Sequence, residues 1–365
     1  MARTCPTCNL FWHQPVTTCI RCGSQLVELK PGALRVLHVT KVEVPSQEHQ
    51  EVPYYCLLLE DKAGLHYVRK SRQAYRPGDE IADGERRGED SVITLGVVGT
   101  GTMAAGIVEV AVEAGWQVTW KSRSADSLTK AKSRLQDRLT RAMDVAEVEE
   151  AMQSVVLTTD FGQLADTGLI IESVIEDLSA KQDTFASLSR ACSPEAILAS
   201  NTSSLSIDAI ATSASNPERV VGMHFFNPVS RMRLVEVVRG AHTSEVTVTR
   251  ASQLAERLGK VPIVVRDTPG FIVNRVLMPY LNEAARVVQE GIASAEDVDT
   301  AVQLGLQHPI GPLALIDLIG GDIFVKIMDA LASRTHESRF EAAEMARRLV
   351  AEGRLGRKTG GGFHG

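Results

Sequence analysis

The chain has 365 residues, enough for roughly two or three domains with cores of their own. Its 44% hydrophobic and 23% charged residues are the balance of a soluble globular protein, and a net charge of -6 leaves no domain-wide basic surface for nucleic acid. The opening Met1-Ala2-Arg3-Thr4-Cys5 has no apolar run, so a cytoplasmic protein with neither signal peptide nor membrane span is expected.

Residues 1–30 are dominated by two cysteine pairs, Cys5-Pro6-Thr7-Cys8 and Cys19-Ile20-Arg21-Cys22. Two such pairs can wrap one tetrahedral ion with Zn–S bonds of about 2.3 Å, and a segment this small needs the ion to fold. A redox dithiol would need only one pair, and a disulfide framework does not suit a cytoplasmic chain. Cys5, Cys8, Cys19 and Cys22 are therefore the expected ligands of a structural zinc, with iron the rival ion. Four thiolates leave no open position, so the ion should do no chemistry. Residues 31–82 turn to a β pattern. Leu34-Arg35-Val36-Leu37-His38-Val39 reads as a strand, and Tyr54–Leu59 with Leu65–Val68 reads as a hairpin, which together predict a small OB-like barrel. The charged stretch 83–91 reads as a linker.

From Ser91 the pattern becomes strand–helix–strand, and an α/β domain with a doubly wound, Rossmann-type parallel sheet is expected over 92–268. The strand Thr94-Leu95-Gly96-Val97-Val98 runs into Gly99-Thr100-Gly101-Thr102-Met103-Ala104, which opens a helix. Gly99 permits the tight turn and Gly101 lets the backbone approach a pyrophosphate, while Thr102 and Met103 start the helix whose N-terminus faces it. At the end of the second strand, where an acid would accept the ribose hydroxyls of NAD, stands Ser122, flanked by Lys121 and Arg123. A neutral residue beside two cations favours the 2′-phosphate of NADP(H). A helix over Ser127–Met143 is expected from the stripe Leu128, Ala131, Leu135, Leu139 and Ala142. Its opposite row, Lys130, Arg134, Arg138 and Arg141, suits either the phosphates of coenzyme A or plain solvent. From 269 to 365 strands give way to amphipathic helices, a second, all-α domain.

Polar residues gather where a bland core would not hold them. Ser200-Asn201-Thr202-Ser203-Ser204 follows the apolar strand Ala196-Ile197-Leu198-Ala199, at the strand end that lines the ligand crevice of such sheets. Ser204 or Ser206 should also cap the next helix. Met223-His224-Phe225-Phe226-Asn227-Pro228 ends another apolar strand. Leu234-Val235-Glu236-Val237-Val238 sets one carboxylate within an apolar strand, where it is costly unless paired, and His224 is the obvious partner. A histidine held by a carboxylate is a general acid/base with a fixed tautomer. Asn274, in Thr268-Pro269-Gly270-Phe271-Ile272-Val273-Asn274-Arg275, should project from the first helix of the second domain toward the cleft.

With Asn201-Thr202-Ser203-Ser204, His224-Phe225-Phe226-Asn227-Pro228, Leu234-Val235-Glu236-Val237, Asp267-Thr268-Pro269-Gly270-Phe271, His308-Pro309-Ile310-Gly311-Pro312 and Arg357-Lys358-Thr359-Gly360, residues 93–365 resemble the L-3-hydroxyacyl-CoA dehydrogenase family. The resemblance implies interconversion of (S)-3-hydroxyacyl-CoA and 3-ketoacyl-CoA with a nicotinamide cofactor. Ser203 and Asn274 would bind the 3-oxygen, His224 would exchange the proton and Glu236 would orient it. Asn227 would join the acyl-CoA site, and Asn201, Glu176, Lys181 and Lys358 would contact the cofactor. A homodimer through the helical domain is also implied. Ala104 and Ser122 depart from the family pattern, and the second departure puts its NAD habit in question. The related β-hydroxyacid dehydrogenases use a lysine of a glycine-rich helix, and no such motif is present.

The double CxxC, Lys30-Pro31-Gly32, Pro53-Tyr54-Tyr55 and Arg76-Pro77-Gly78-Asp79 resemble the zinc-ribbon and OB-fold proteins that accompany thiolases. That likeness implies docking to a thiolase-type acyl-CoA enzyme. A non-catalytic adaptor is the contrasting reading, but Ser203, His224, Glu236 and Asn274 are all present. The purified protein should carry about one zinc per chain by elemental analysis, and Cys5→Ser with Cys8→Ser should abolish it. A metal-free but folded N-terminal segment would contradict the zinc assignment.

Overall fold

The computed structural model describes residues 93–365 apart from residue 142, together with seven strands and residues 76–77 in the N-terminal part. The chain divides into two units, Met1–Ser91 and Val92–Gly365. In the first, β1 (Arg3–Thr4) pairs antiparallel with β2 (Phe11–Trp12) and β3 (Val27–Glu28). A second antiparallel sheet has the order β6-β5-β4-β7, built from β4 (Leu34–Val42), β5 (Tyr54–Glu60), β6 (His66–Ser71) and β7 (Glu80–Ile81). The strand and the hairpin expected from the β pattern are thus β4 and the β5–β6 pair. Cys5, Cys8, Cys19 and Cys22 lie outside the described residues, as does the stretch 83–91.

The second unit begins with β8 (Thr94–Val98), the glycine turn and α1 (Thr102–Glu113). Leu95 and Val97 are fully buried because helices cover both faces of the sheet, which is why β8 reads as a continuous apolar run. β9 (Gln117–Lys121), β10 (Val155–Thr158), β11 (Leu169–Glu172), β12 (Ile197–Ser200), β13 (Val220–Phe225), β14 (Leu234–Arg239) and β15 (Val261–Arg266) complete an eight-stranded sheet of order β10-β9-β8-β11-β12-β13-β14-β15. The chain leaves β8 toward one edge and returns past it toward the other, so a ligand crevice opens above the carboxyl end of β8. One pair departs from the expected parallel sheet. β13 and β14 are antiparallel because the connection 226–233 is shorter than the dozen or so residues a parallel crossover needs.

The expected helix over Ser127–Met143 is shorter and earlier. α2 (Ala125–Leu139) starts where the Ser124 side chain accepts from the Ser127 amide, and it buries Leu128, Ala131, Leu135 and Leu139. It ends at the C-cap Thr140, and a reciprocal capping box of Asp144 and Glu147 begins α3 (Val145–Gln153). The cation row stays outside: Arg138 pairs with Glu109 of α1 at 3.1 Å, while Lys130, Arg134 and Arg141 are exposed. α4 (Leu178–Ala191), α5 (Ile207–Ala211) and α6 (Glu245–Arg257) fill the remaining crossovers.

Beyond β15, α7 (Val273–Gln289), α8 (Ala295–Leu306), α9 (Pro312–Ile319), α10 (Gly321–Thr335) and α11 (Glu344–Ala351) pack around their own core of Leu281, Leu313, Ile316, Phe324 and Phe340. The chain end is fastened by buried carboxylates. Asp317 accepts from the Phe363 and His364 amides, and Asp299 caps the start of α9 while bonding His364 Nε2 at 2.8 Å. Among the described residues, no helix is long and apolar enough to cross a membrane.

Candidate active site

A cavity of about 670 Å³ opens beside the glycine turn, bordered by Gly99, Gly101, Lys121, Ser122, Arg123 and Ser173. Gly99 adopts φ 120°, and a Cβ there would meet the Ser173 carbonyl oxygen at 2.3 Å, so only glycine fits. The Trp120 indole pins the turn by donating to the Gly99 carbonyl at 2.6 Å. Gly101 caps α1 without any side-chain bond, its missing Cβ would face open space, and the first turn holds no acid. Gly99, Thr100 and Gly101 line the cavity at the N-terminus of α1, and the unpaired amides of a helix start suit the pyrophosphate of a dinucleotide; Thr102 and Met103 open the helix behind them. At the end of β9 Ser122 bonds the Ser127 hydroxyl at 3.1 Å, and Arg123 is exposed. Lys121 is buried with its ammonium 3.3 Å from the Phe161 ring centroid. Burial, and then Arg123, pull its pKa below the ordinary lysine value.

On the opposite side of β12, the β13–β14 register sets His224 directly across from Glu236. Nδ1 of His224 lies 2.7 Å from Oε2 of Glu236, and both side chains are buried. The other oxygen of Glu236 accepts from the Ile272 and Val273 amides, each at 2.9 Å. Burial would raise this carboxyl's pKa, but the bonds from His224, Val273 and Ile272 outweigh it and hold the pKa below the usual range. An ionised carboxylate only accepts, so Nδ1 must carry a hydrogen, and in the neutral imidazole Nε2 then holds the lone pair. Phe226 and Phe271 flank the imidazole at ring-centroid distances of 4.5 and 5.7 Å. The backbone reverses there, with Gly270 at φ 79° and Phe271 at φ 50°, to bring the two amides onto Glu236.

The serine turn joins these two parts. Asn201 accepts from the Phe225 amide at 2.9 Å and donates to the Ser173 hydroxyl at 3.1 Å, tying β13 to the cavity wall. Asn274, on the first turn of α7, donates to the Ser203 carbonyl at 3.3 Å. Glu176 accepts from Thr202, Ser203 and Ser204. Ser206, not Ser204, caps α5. Lys181 is fully buried, with Nζ 2.8 Å from Glu172 and 3.4 Å from Glu176. It therefore braces the cavity from behind. Lys358 sits in the helical domain, ion-paired with Asp322 at the start of α10. Asn227 is exposed and precedes a cis proline.

Two buried charges beside the site, Glu172 and Lys260, are not evident from the sequence. Glu172 ends the apolar run Leu169-Ile170-Ile171, the same signal that marked Glu236, yet its partner Lys181 lies on the next helix. Lys260 donates to the carbonyls of Val229 and Met232 and holds the loop that follows His224.

Residues 94–268 match the sequence model described as 3-hydroxyacyl-CoA dehydrogenase, NAD binding domain, and residues 270–364 match its C-terminal domain. The chain belongs to the 3-hydroxyacyl-CoA dehydrogenase family. It is a nicotinamide-dependent oxidoreductase of that class. A 3-hydroxybutyryl-CoA dehydrogenase of Clostridioides difficile is 42% identical over 275 residues, 74% of this chain and 98% of that protein. A mitochondrial hydroxyacyl-coenzyme A dehydrogenase of Sus scrofa is 39% identical over 73% of this chain and 89% of its own. The crystal structure of an (S)-3-hydroxybutyryl-CoA dehydrogenase from Ralstonia eutropha superposes with a TM-score of 0.72 at 39% identity, covering 75% of this chain and 99% of that one.

In this dehydrogenase the two lysines should behave very differently. Lys181→Met strands Glu172 as a buried, unpaired charge and should cost about 3–5 kcal/mol of unfolding free energy. Lys358→Met breaks an exposed pair and should cost less than about 1 kcal/mol. Denaturant titrations of both variants check this, and equal losses would contradict the assignment.

Proposed function

We propose that the protein interconverts (S)-3-hydroxyacyl-CoA and 3-ketoacyl-CoA, with His224 as the general acid/base. The observation that carries this is the 2.7 Å bond from Nδ1 of His224 to Glu236, which leaves Nε2 free to accept a proton. In the oxidative direction Nε2 takes the proton of the 3-hydroxyl, and Glu236 stabilises the imidazolium that results. Ser203 and Asn274 donate hydrogen bonds to the 3-oxygen as its charge develops. The bound nicotinamide supplies the hydride acceptor at C3 of the acyl chain. In the reductive direction His224 returns the proton to the oxygen. Phe226 and Phe271 beside the ring keep water from competing for it.

NADP(H) is the proposed cofactor form. A 2′-phosphate brings about −1.5 to −2 charges near neutral pH, and the strand end offers the Ser122 hydroxyl, the Arg123 guanidinium and no carboxylate. The protein is proposed to act as a homodimer, and residues 1–82 to dock it to a thiolase-type enzyme that makes or consumes 3-ketoacyl-CoA.

His224→Gln should lower kcat on acetoacetyl-CoA by at least about a hundredfold. Near-normal turnover would refute the mechanism. Arg123→Ala should weaken NADPH by about 1.5–3 kcal/mol and leave NADH almost unchanged, since only the former loses a charge-assisted contact. Equal wild-type affinity for the two cofactors would refute the NADP assignment. A chain starting at Glu89 should keep its turnover, because both matching family domains, residues 94–268 and 270–364, lie within the region it retains. A folded but inactive product would mean that residues 1–82 belong to the active site rather than to a docking module.

A further inference from the structure

The turn Thr202–Ser204 holds more hydrogen-bond donors than its local structure requires. The Thr202 hydroxyl at 2.6 Å, the Ser203 amide at 2.9 Å and its hydroxyl at 3.2 Å all reach one atom, Oε1 of Glu176. The Ser204 amide at 3.0 Å and hydroxyl at 3.1 Å reach the same atom. A carboxylate oxygen offers about two lone-pair sites, so these donors exceed what a capping contact needs. The carbonyls of Ser203 and Ser204 are engaged elsewhere, by Asn274 and by the Arg334 guanidinium. Backbone amides and hydroxyls converging on one point are the arrangement that stabilises an oxyanion.

This contact conflicts with the duty proposed for Ser203. The Ser203 hydroxyl has a single hydrogen. To stabilise the 3-oxygen it must donate that hydrogen to the substrate, but an ionised Glu176 can only accept it. Glu176 is ionised: burial would raise its pKa, but Lys181 and the donors of the turn outweigh it and hold the pKa below the usual range. The carboxylate is also replaceable. Its side chain is 31% exposed, and its second oxygen already pairs with Lys181 at 3.4 Å, a partner it can keep when the first oxygen leaves the turn. Its neighbours Val174, Ile175 and Asp177 line the dinucleotide cavity, so anything filling that cavity touches the segment that carries Glu176.

We propose that the Thr202–Ser204 turn is an oxyanion site for the 3-oxygen of a 3-ketoacyl-CoA or its enolate, that Glu176 fills it in the empty enzyme, and that dinucleotide binding on segment 174–177 draws Glu176 off. The inference rests on the dehydrogenase reading above. It makes Glu176 an internal competitor of the substrate. The two ligands then bind cooperatively, because the acyl-CoA is taxed by the fraction of closed sites until the cofactor is present.

The test binds acetoacetyl-CoA to the full chain by calorimetry and follows the absorbance of its enolate, without cofactor and with oxidised NADP or NAD, neither of which can reduce the ketone. Wild type alone should bind weakly with little enolate, and oxidised cofactor should tighten binding about ten- to hundredfold. Glu176→Ala without cofactor should bind as tightly as the cofactor-loaded wild type, and cofactor added at a concentration that direct titration shows to saturate the variant should give it no further gain. Glu176→Gln, a neutral acceptor of the same shape, should fall between the two and carries the test if the alanine variant does not fold. Binding by either folded variant no tighter than cofactor-free wild type would overturn the proposal and reduce Glu176 to a brace for the turn. If wild type fails to reduce acetoacetyl-CoA with NADPH or NADH, it is the dehydrogenase reading that falls. Reduction by wild type together with unchanged acetoacetyl-CoA binding in the variants removes this inference alone.

Discussion

One carboxylate carries two obligations, and most of the site follows from them. Glu236 is 1% exposed, in a strand whose neighbours are valines, where an uncompensated charge would be too costly to keep. Its first oxygen fixes the hydrogen of His224 on Nδ1. Its second takes the two amides that start α7, the helix that brings Asn274 to the serine turn. A single buried group thus sets the hydrogen position on His224 and the position of a residue on the other domain. Because its pKa is held below the ordinary carboxylate value, its stabilising contribution is present above that value. The contribution is lost only as pH falls through the lowered one.

The same economy recurs behind the dinucleotide cavity. Glu172 at the end of β11 takes bonds from Lys181, the Ser200 hydroxyl and the Val174 amide, so its charge is matched inside the sheet. Lys181 in turn faces Glu176, which lies against the serine turn. Cofactor cavity, serine turn and histidine are therefore joined by polar groups at the carboxyl ends of adjacent strands, with Asn201 bridging Ser173 and Phe225. Such buried networks are rigid when fully satisfied, which is what a site needs to hold a donor and an acceptor in fixed register.

How much was legible in the sequence depends on whether a signal was local. The glycine turn, the helix after it and the neutral Ser122 read directly, because each is a property of a few consecutive residues. The His224–Glu236 pair read through cost: a lone acid in an apolar strand demands a partner, and the register supplies one. That β13 and β14 run antiparallel was hidden, since it depends on the length of a connection rather than on either strand. The end of α2 at Leu139 is masked in the sequence by an apolar stripe that runs on to Ala142, although Asp144 and Glu147 carry the capping signature of α3. Glu172 gave the same signal as Glu236 and went unread, because its partner sits a helical turn into α4 rather than on an adjacent strand. The convergence of donors on Glu176 could not be read at all. It arises from the close approach of two strand-end turns, 26 to 28 residues apart in sequence.

The central claim is that Glu236 fixes the tautomer of His224, and a 15N spectrum of the imidazole nitrogens at neutral pH tests it most directly. The account predicts that wild type shows a protonated Nδ1 and an unprotonated Nε2, and that Glu236→Ala loses this preference. A wild-type spectrum with the proton on Nε2, or one unchanged by Glu236→Ala, would contradict it.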